Sequence, residues 1–291
     1  MQSPTKRLQA LLNGPEFLSM PCCFDALSAR LIEQAGFPLT FMSGFAVSAA
    51  RLAAPDTGLI SYAEMVNQGR DICAAVSIPV IGDGDTGYGN PANVKRTVHG
   101  YAQAGFAGIM IEDQLAPKRC GHTLGKEVVS RREALQRLQA AVDARDEGAE
   151  ILIMARTDAR ATQGMEEALW RMQAFADIGA DILFLEAPRD EPEMRAFCER
   201  IPGPKLANML EEGLTPLLPP AQLEAIGYKI AAYPLTLLNS AVFAMQQALQ
   251  ELKQGRIPRN RVDFESVRRI VGFPQYDTLL AGYAERFGPE T

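Results

Sequence analysis

The chain has 291 residues, 47% hydrophobic and 22% charged, with a formal net charge of −6. That length suits one large α/β domain and that apolar content a sizeable core, while an acidic balance without a basic stripe argues against a nucleic-acid surface. No apolar run approaches the ~20 residues of a bilayer span, and "MQSPTKRLQALLNG" lacks the apolar segment of a secretory signal.

The chain opens on an amphipathic helix with Leu8, Leu11 and Leu12 on one face. Eight short β-rich runs follow, at Phe17–Pro21, Leu39–Ser43, Pro79–Gly82, Gly108–Glu112, Ile151–Arg156, Ile182–Glu186, Lys205–Met209 and Lys229–Tyr233. Helical patterns separate them, at Leu27–Ala35, Tyr62–Val76, Ala92–Ala104, Arg131–Glu147, Met165–Ile178, Glu191–Arg200 and Pro220–Ile226. Strict alternation without a long structureless insert predicts a closed (β/α)8 barrel of the TIM type. "QAGFPLTFMSG", "QAGFAGIMIED", "DIGADILFLEA" and "AIGYKIAAYPL" share one grammar of helix end, glycine, one residue and apolar strand. Gly36, Gly105, Gly179 and Gly227 are the expected left-handed helix stops. A helix near Leu235–Gln254, the link "GRIPRNRVDF" and a last helical stretch complete the chain. One domain over 1–291 is expected, with the barrel at about 15–255 and a helical extension at about 256–291. Five cysteines (22, 23, 73, 120 and 198) in no framework spacing read as free thiols of a cytoplasmic protein.

"VIGDGDTGYGN", residues 80–90, satisfies G-x-G-x-x-G with Gly82, Gly84 and Gly87. A dinucleotide loop presents backbone N–H groups to pyrophosphate, and the carboxylates of Asp83 and Asp85 would oppose that anion. Asn90 as N-cap and Pro91 as first helical residue also start the helix too late for the fingerprint. Asp83 and Asp85 are two apart at a strand end, so extended backbone would aim both at one spot. Glu112, Asp113 and Glu186 fall at the same level, with Asp56 in the segment after the second strand. In a barrel this end is the catalytic face, and all-oxygen ligands without a histidine cluster suit Mg²⁺ or Mn²⁺. The competing reading has these acids capping helices or pairing with Lys and Arg.

After the fourth strand, "KRCGH" groups Lys118, Arg119, Cys120, Gly121 and His122. A thiol beside two cations and an imidazole is a setting for reactivity, and Gly121 and Gly125 would let the segment move. Alternatively it is an ordinary surface loop. His99, mid-helix in "RTVHGYAQAG", reads as structural.

"VIGDGDTGYGN", "GIMIEDQLAPKRCGH", "ILIMARTDAR", "ILFLEAP" and "KLANMLEEGLTP" resemble, in order and spacing, the isocitrate lyase and phosphoenolpyruvate mutase superfamily, over about residues 15 to 255. "KRCGH" is similar to its carbon–carbon lyase branch, which makes a phosphonate mutase, or a barrel without catalysis, the rival classes. The resemblance implies that Asp83 binds Mg²⁺ directly, and that Asp85, Glu112 and Asp56 hold it through water. It implies that Ser43 and Gly44 bind the oxo-acid end of the substrate, that Arg156 clamps a carboxylate, and that Glu186 and Asn208 line the pocket. Cys120 would be the general acid and His122 its neighbour, with Arg119 a further stabiliser and Lys118 also among the catalytic residues. It also implies a homotetramer with the last helix swapped onto a neighbour, although a tail docking on its own barrel would serve its apolar residues equally well. "SGFAVSAARLAAPDTGL" and "ANMLEEG" are most similar to the group of 2,3-dimethylmalate lyase, petal death protein and oxaloacetate hydrolase. Phe45-Ala46 and Thr123 stand where the similar 2-methylisocitrate lyases carry further glycines and an arginine, which suits an alkyl group rather than a third carboxylate.

Overall fold

The structure is a computed structural model that describes residues 2–119 and 125–288. It divides into two compact units, Met1–Leu238 and Asn239–Thr291. In the first, strands β1 Leu18–Cys23, β2 Thr40–Met42, β3 Val80–Asp83, β4 Gly108–Glu112, β5 Leu152–Thr157, β6 Ile182–Leu185, β7 Leu206–Asn208 and β8 Ile230–Tyr233 form one parallel sheet. Its order is β6-β5-β4-β3-β2-β1-β8-β7. A parallel bridge between Leu183 and Lys205 spans the remaining gap, with the Leu183 N–H donating to the Pro204 carbonyl at 3.0 Å. The expected (β/α)8 barrel is therefore present, and the predicted strands shift by at most two residues at their ends.

The helices in chain order are α1 Pro4–Asn13, α2 Ala26–Gln34, α3 Gly44–Leu52, α4 Tyr62–Ala75, α5 Pro91–Ala104, α6 Arg131–Asp146, α7 Ala159–Gln163, α8 Met165–Ile178, α9 Glu191–Arg200, α10 Pro220–Ile226, α11 Thr236–Lys253, α12 Phe264–Val271 and α13 Phe273–Phe287. Local chemistry sets their ends. Ser61 and Glu64 close a capping box on α4, and Asn90 accepts from the N–H groups of Ala92 and Asn93 at the start of α5. Gly105, Gly179 and Gly227 take left-handed φ of 99°, 104° and 112° at helix ends. Two short helices, α3 and α7, occupy segments between the predicted elements.

Strand parity carries the chain from core to site. Leu18, Met20 and Cys22, Leu39 and Phe41, Leu152 and Met154, Ile182 and Phe184, Leu206, Ile230 and Ala232 fill the barrel interior. Continued two residues toward the C-terminal mouth, the same faces carry Ser43, Arg156, Glu186 and Asn208, and Ile81 likewise leads to Asp83. From the other end Leu8 and Leu12 of α1 join this interior cluster, each adding about 2 kcal/mol of burial.

In the second unit, α12 and α13 meet at Gly272, left-handed with φ 95°. The last helical stretch is thus two helices rather than one. Among the described residues no helix is long and apolar enough to cross a membrane.

Candidate active site

At the C-terminal mouth of the barrel lies a cavity of about 80 Å³. Ser43, Asp56, Asp83, Arg156, Glu186 and Asn208 are its polar lining, and Phe45, Leu210, Pro234 and Leu235 are among its apolar lining. Cys22, Phe41, Met110 and Phe184 contribute to its floor.

Asp83 ends β3 and is held on both oxygens. Its Oδ2 accepts the Gly44 N–H at 3.2 Å, and its Oδ1 accepts the Asp85 N–H at 3.0 Å. Gly44, which the resemblance places at the substrate, is thus in contact with Asp83. The strand does not continue extended to Asp85, as alternation had suggested: Asp85 turns left-handed at φ 48°. Its carboxylate still stays with the group, because Lys118 Nζ sits 2.7 Å from Asp85 Oδ1 and 2.6 Å from Asp56 Oδ1.

The glycines of "VIGDGDTGYGN" serve packing. A Cβ on Gly82 would stand 2.7 Å from the rings of both Tyr101 and Phe106, and one on Gly84 2.5 Å from the Met110 carbonyl. Tyr101 uses this closeness to donate from its hydroxyl to the Asp83 carbonyl at 2.6 Å.

Across the mouth, Arg156 gathers three acids. Its Nε lies 2.9 Å from Asp158 Oδ2 and 3.4 Å from Glu112 Oε2, and its Nη2 lies 3.4 Å from Glu186 Oε2. Asn208 Nδ2 donates to Glu186 at 3.3 Å, and the Arg156 guanidinium lies over the Phe184 ring at 5.2 Å. Asp158, paired with Lys126 at 3.1 Å, is a partner of Arg156 that motif reading misses, although it stands two residues on in "ARTDAR". Asp113 alternates away from Glu112: it accepts from Thr157 Oγ1 at 2.6 Å and pairs with the buried Arg171 at 3.1 Å.

Burial pushes the Asp85 carboxyl up to about 6 against the pull of Lys118, and it raises Glu112 well above the ordinary carboxylate range. Burial alone would lower Lys118, but Asp85, Asp83, Asp56 and Glu112 outweigh it and raise the ammonium. Arg119 is exposed and does not line the cavity, while its peptide is held by Gln114. Cys120 and His122 lie outside the described residues.

These residues fit a hard divalent cation. Asp56, Asp83, Asp85, Glu112, Asp158 and Glu186 are all buried, and they outnumber the cations Lys118, Lys126 and Arg156. Among the described residues, the buried acceptor Glu112 Oε1 has no hydrogen-bond partner. Among the described residues no three His, Cys, Asp or Glu side chains stand close enough to grip an ion between them.

A parallel barrel with buried acids and an arginine fork at its C-terminal mouth is the architecture of an enzyme for small anionic substrates. The chain belongs to the phosphoenolpyruvate phosphomutase family, whose profile matches residues 8–253, within the superfamily shared with isocitrate lyase. It is 46% identical to 2,3-dimethylmalate lyase of Eubacterium barkeri, covering 94% of this chain and 93% of that protein. It is 44% identical to probable 2-methylisocitrate lyase 2 of Corynebacterium glutamicum, covering 90% and 85% respectively. Oxaloacetate acetylhydrolase in complex with 3,3-difluorooxalacetate superposes with a TM-score of 0.93 at 34% identity, covering 97% of each chain. The enzyme class is that of a lyase.

Proposed function

We propose that the protein is a Mg²⁺-dependent carbon–carbon lyase, with Mn²⁺ as substitute, that cleaves a 2-alkylmalate such as 2,3-dimethylmalate into a 2-oxo acid and a carboxylate. The observation that carries this reading is one cavity lined both by buried acids with Arg156 and by the apolar Phe45, Leu210, Pro234 and Leu235. Asp83 would hold the cation directly, with Asp85, Glu112 and Asp56 holding it through water. When bound, the cation supplies stabilisation of negative charge on the C2 oxygens of the substrate.

Every other part falls to the chain itself. Ser43 and the surrounding cavity wall orient the oxo-acid end, and Arg156, kept in place by Asp158, Glu112 and Glu186, receives a carboxylate. The C2 hydroxyl gives its proton to a carboxylate of the cavity lining, Glu186 being one such acceptor, the C2–C3 bond breaks, and its electron pair leaves on C3 toward the adjoining carboxylate. Cys120, the sequence's candidate acid, protonates C3, with His122 stabilising the dianion. For 2,3-dimethylmalate the products are pyruvate and propionate. The described site cations Lys118 and Arg156 are each already matched to two or more acids, which disfavours a third substrate carboxylate.

A second reading, oxaloacetate hydrolysis to oxalate and acetate, is supported by the likeness to oxaloacetate acetylhydrolase. We take the enzyme to be a homotetramer, a reading supported by the exposed Phe264, Phe273, Leu279 and Phe287 of the second unit. The test is a panel of 2,3-dimethylmalate, 2-methylisocitrate and oxaloacetate with Mg²⁺, following 2-oxo acid, oxalate and acetate. The highest kcat/KM is expected for the alkylmalate. A large preference for 2-methylisocitrate would overturn the substrate, and unchanged turnover in Cys120→Ser would overturn the acid.

A further inference from the structure

The Lys118 side chain is 5% exposed, and its ammonium lies between Asp56 Oδ1 at 2.6 Å and Asp85 Oδ1 at 2.7 Å. Asp83 and Glu112 also lie within its electrostatic reach. These are the four acids to which the proposed function gives the metal. Among the described residues no other ion pair reaches Asp56 or Asp85.

The lysine is delivered there by a braced turn. Gln114, 1% exposed, accepts the Arg119 N–H on Oε1 and donates from Nε2 to the Arg119 carbonyl, both at 2.9 Å. Its own carbonyl accepts from Arg137 Nη1 at 2.7 Å. The residue directly after Lys118 is thereby tied to the end of β4, whose last residue is Glu112.

We infer that Lys118 is the resident counter-ion of the metal-binding acids: it offsets part of their charge in the free enzyme and holds down their affinity for a divalent cation, in exchange for affinity toward the anionic substrate. This rests on the metal assignment made above. The sign follows from charge alone. A single positive charge about 8 Å from a dication, screened as in bulk water, weakens binding about fivefold, and a closer or drier pair weakens it more. A dicarboxylate entering the same mouth is attracted by that charge. Loss of the ammonium therefore moves the two affinities in opposite directions, which a merely structural role would not do.

The test uses the full chain, stripped of metal by a chelator and titrated with Mn²⁺ at pH 8, free Mn²⁺ being read by electron paramagnetic resonance. Lys118→Gln is expected to bind Mn²⁺ at least about fivefold more tightly than the parent, to gain more in Tm on Mn²⁺ addition, and to show a higher KM. Lys118→Arg, which keeps the charge, should stay close to the parent. Equal or weaker Mn²⁺ binding by folded Lys118→Gln overturns the inference, as does an equal shift in both variants. Should Lys118→Gln not fold, Gln114→Leu, which leaves the charge but unties the turn, is expected to shift Mn²⁺ affinity in the same direction by a smaller factor, and no shift overturns the inference. Absence of Mn²⁺ binding in the parent chain would instead overturn the metal assignment itself.

Discussion

Replacing Gly44 by alanine isolates the seat of Asp83 from the rest of the barrel. Gly44 is the first residue of α3 and its φ is not left-handed, so the backbone and the helix accept alanine without strain. The added Cβ, however, would stand 2.4 Å from Asp83 Oδ2 and 3.0 Å from its Cγ, where ordinary contact begins at 3.4 Å. The carboxylate must therefore retreat by about 1 Å, and it has little room: it is 6% exposed, and its other oxygen is held by the Asp85 N–H. Displacement on that scale is expected to lower kcat/KM about 100-fold, with a parallel loss of Mn²⁺ affinity. Circular dichroism should stay unchanged. Calorimetric Mn²⁺ titration and steady-state turnover of Gly44→Ala read both quantities. If the variant keeps Mn²⁺ affinity and kcat/KM within about threefold of the parent, Asp83 is not the direct ligand and its contact with Gly44 is incidental.

Arg156→Lys replaces a fork that spans Asp158, Glu112 and Glu186 with a point charge that cannot, so kcat/KM is expected to fall at least about 100-fold while the cation count is kept. Near-parent kinetics would contradict the fork's role. Tyr101→Phe removes the 2.6 Å bond to the Asp83 carbonyl and should cost about 1–2 kcal/mol in urea unfolding, with a neutral result refuting that contribution. The folded Asp85 carboxyl, at about 6, lies above its ordinary 3.8, so between those values the native state binds the extra proton and stability falls as pH rises. In chelator, Tm from pH 4 to 7 should decline more steeply for the parent than for Asp85→Asn, and identical profiles would remove Asp85 from the account.

The barrel was legible because eight strands and seven of the helices carry their own punctuation, such as the glycine stop at Gly105 and the Asn90–Pro91 start of α5. The acid cluster was legible because strand parity is a local rule: Arg156 and Glu186 follow from the interior residues two places before them. What stayed hidden depends on the third dimension. The glycine-rich pattern looks like a phosphate loop until Tyr101 and Phe106 fold against Gly82. No spacing rule says that Lys118 would reach back to Asp56, or that Gln114 would hold the turn before it. Left-handed Asp85 broke the extended geometry assumed for the pair, while Lys118 kept its carboxylate in the group.

The central claim is that buried acids at the barrel mouth hold a divalent cation on which cleavage of a malate-like acid depends. Metal-stripped protein should release no pyruvate from 2,3-dimethylmalate, and titrated Mg²⁺ or Mn²⁺ should restore turnover in proportion to the fraction of subunits loaded. Full turnover persisting after exhaustive chelation would contradict it.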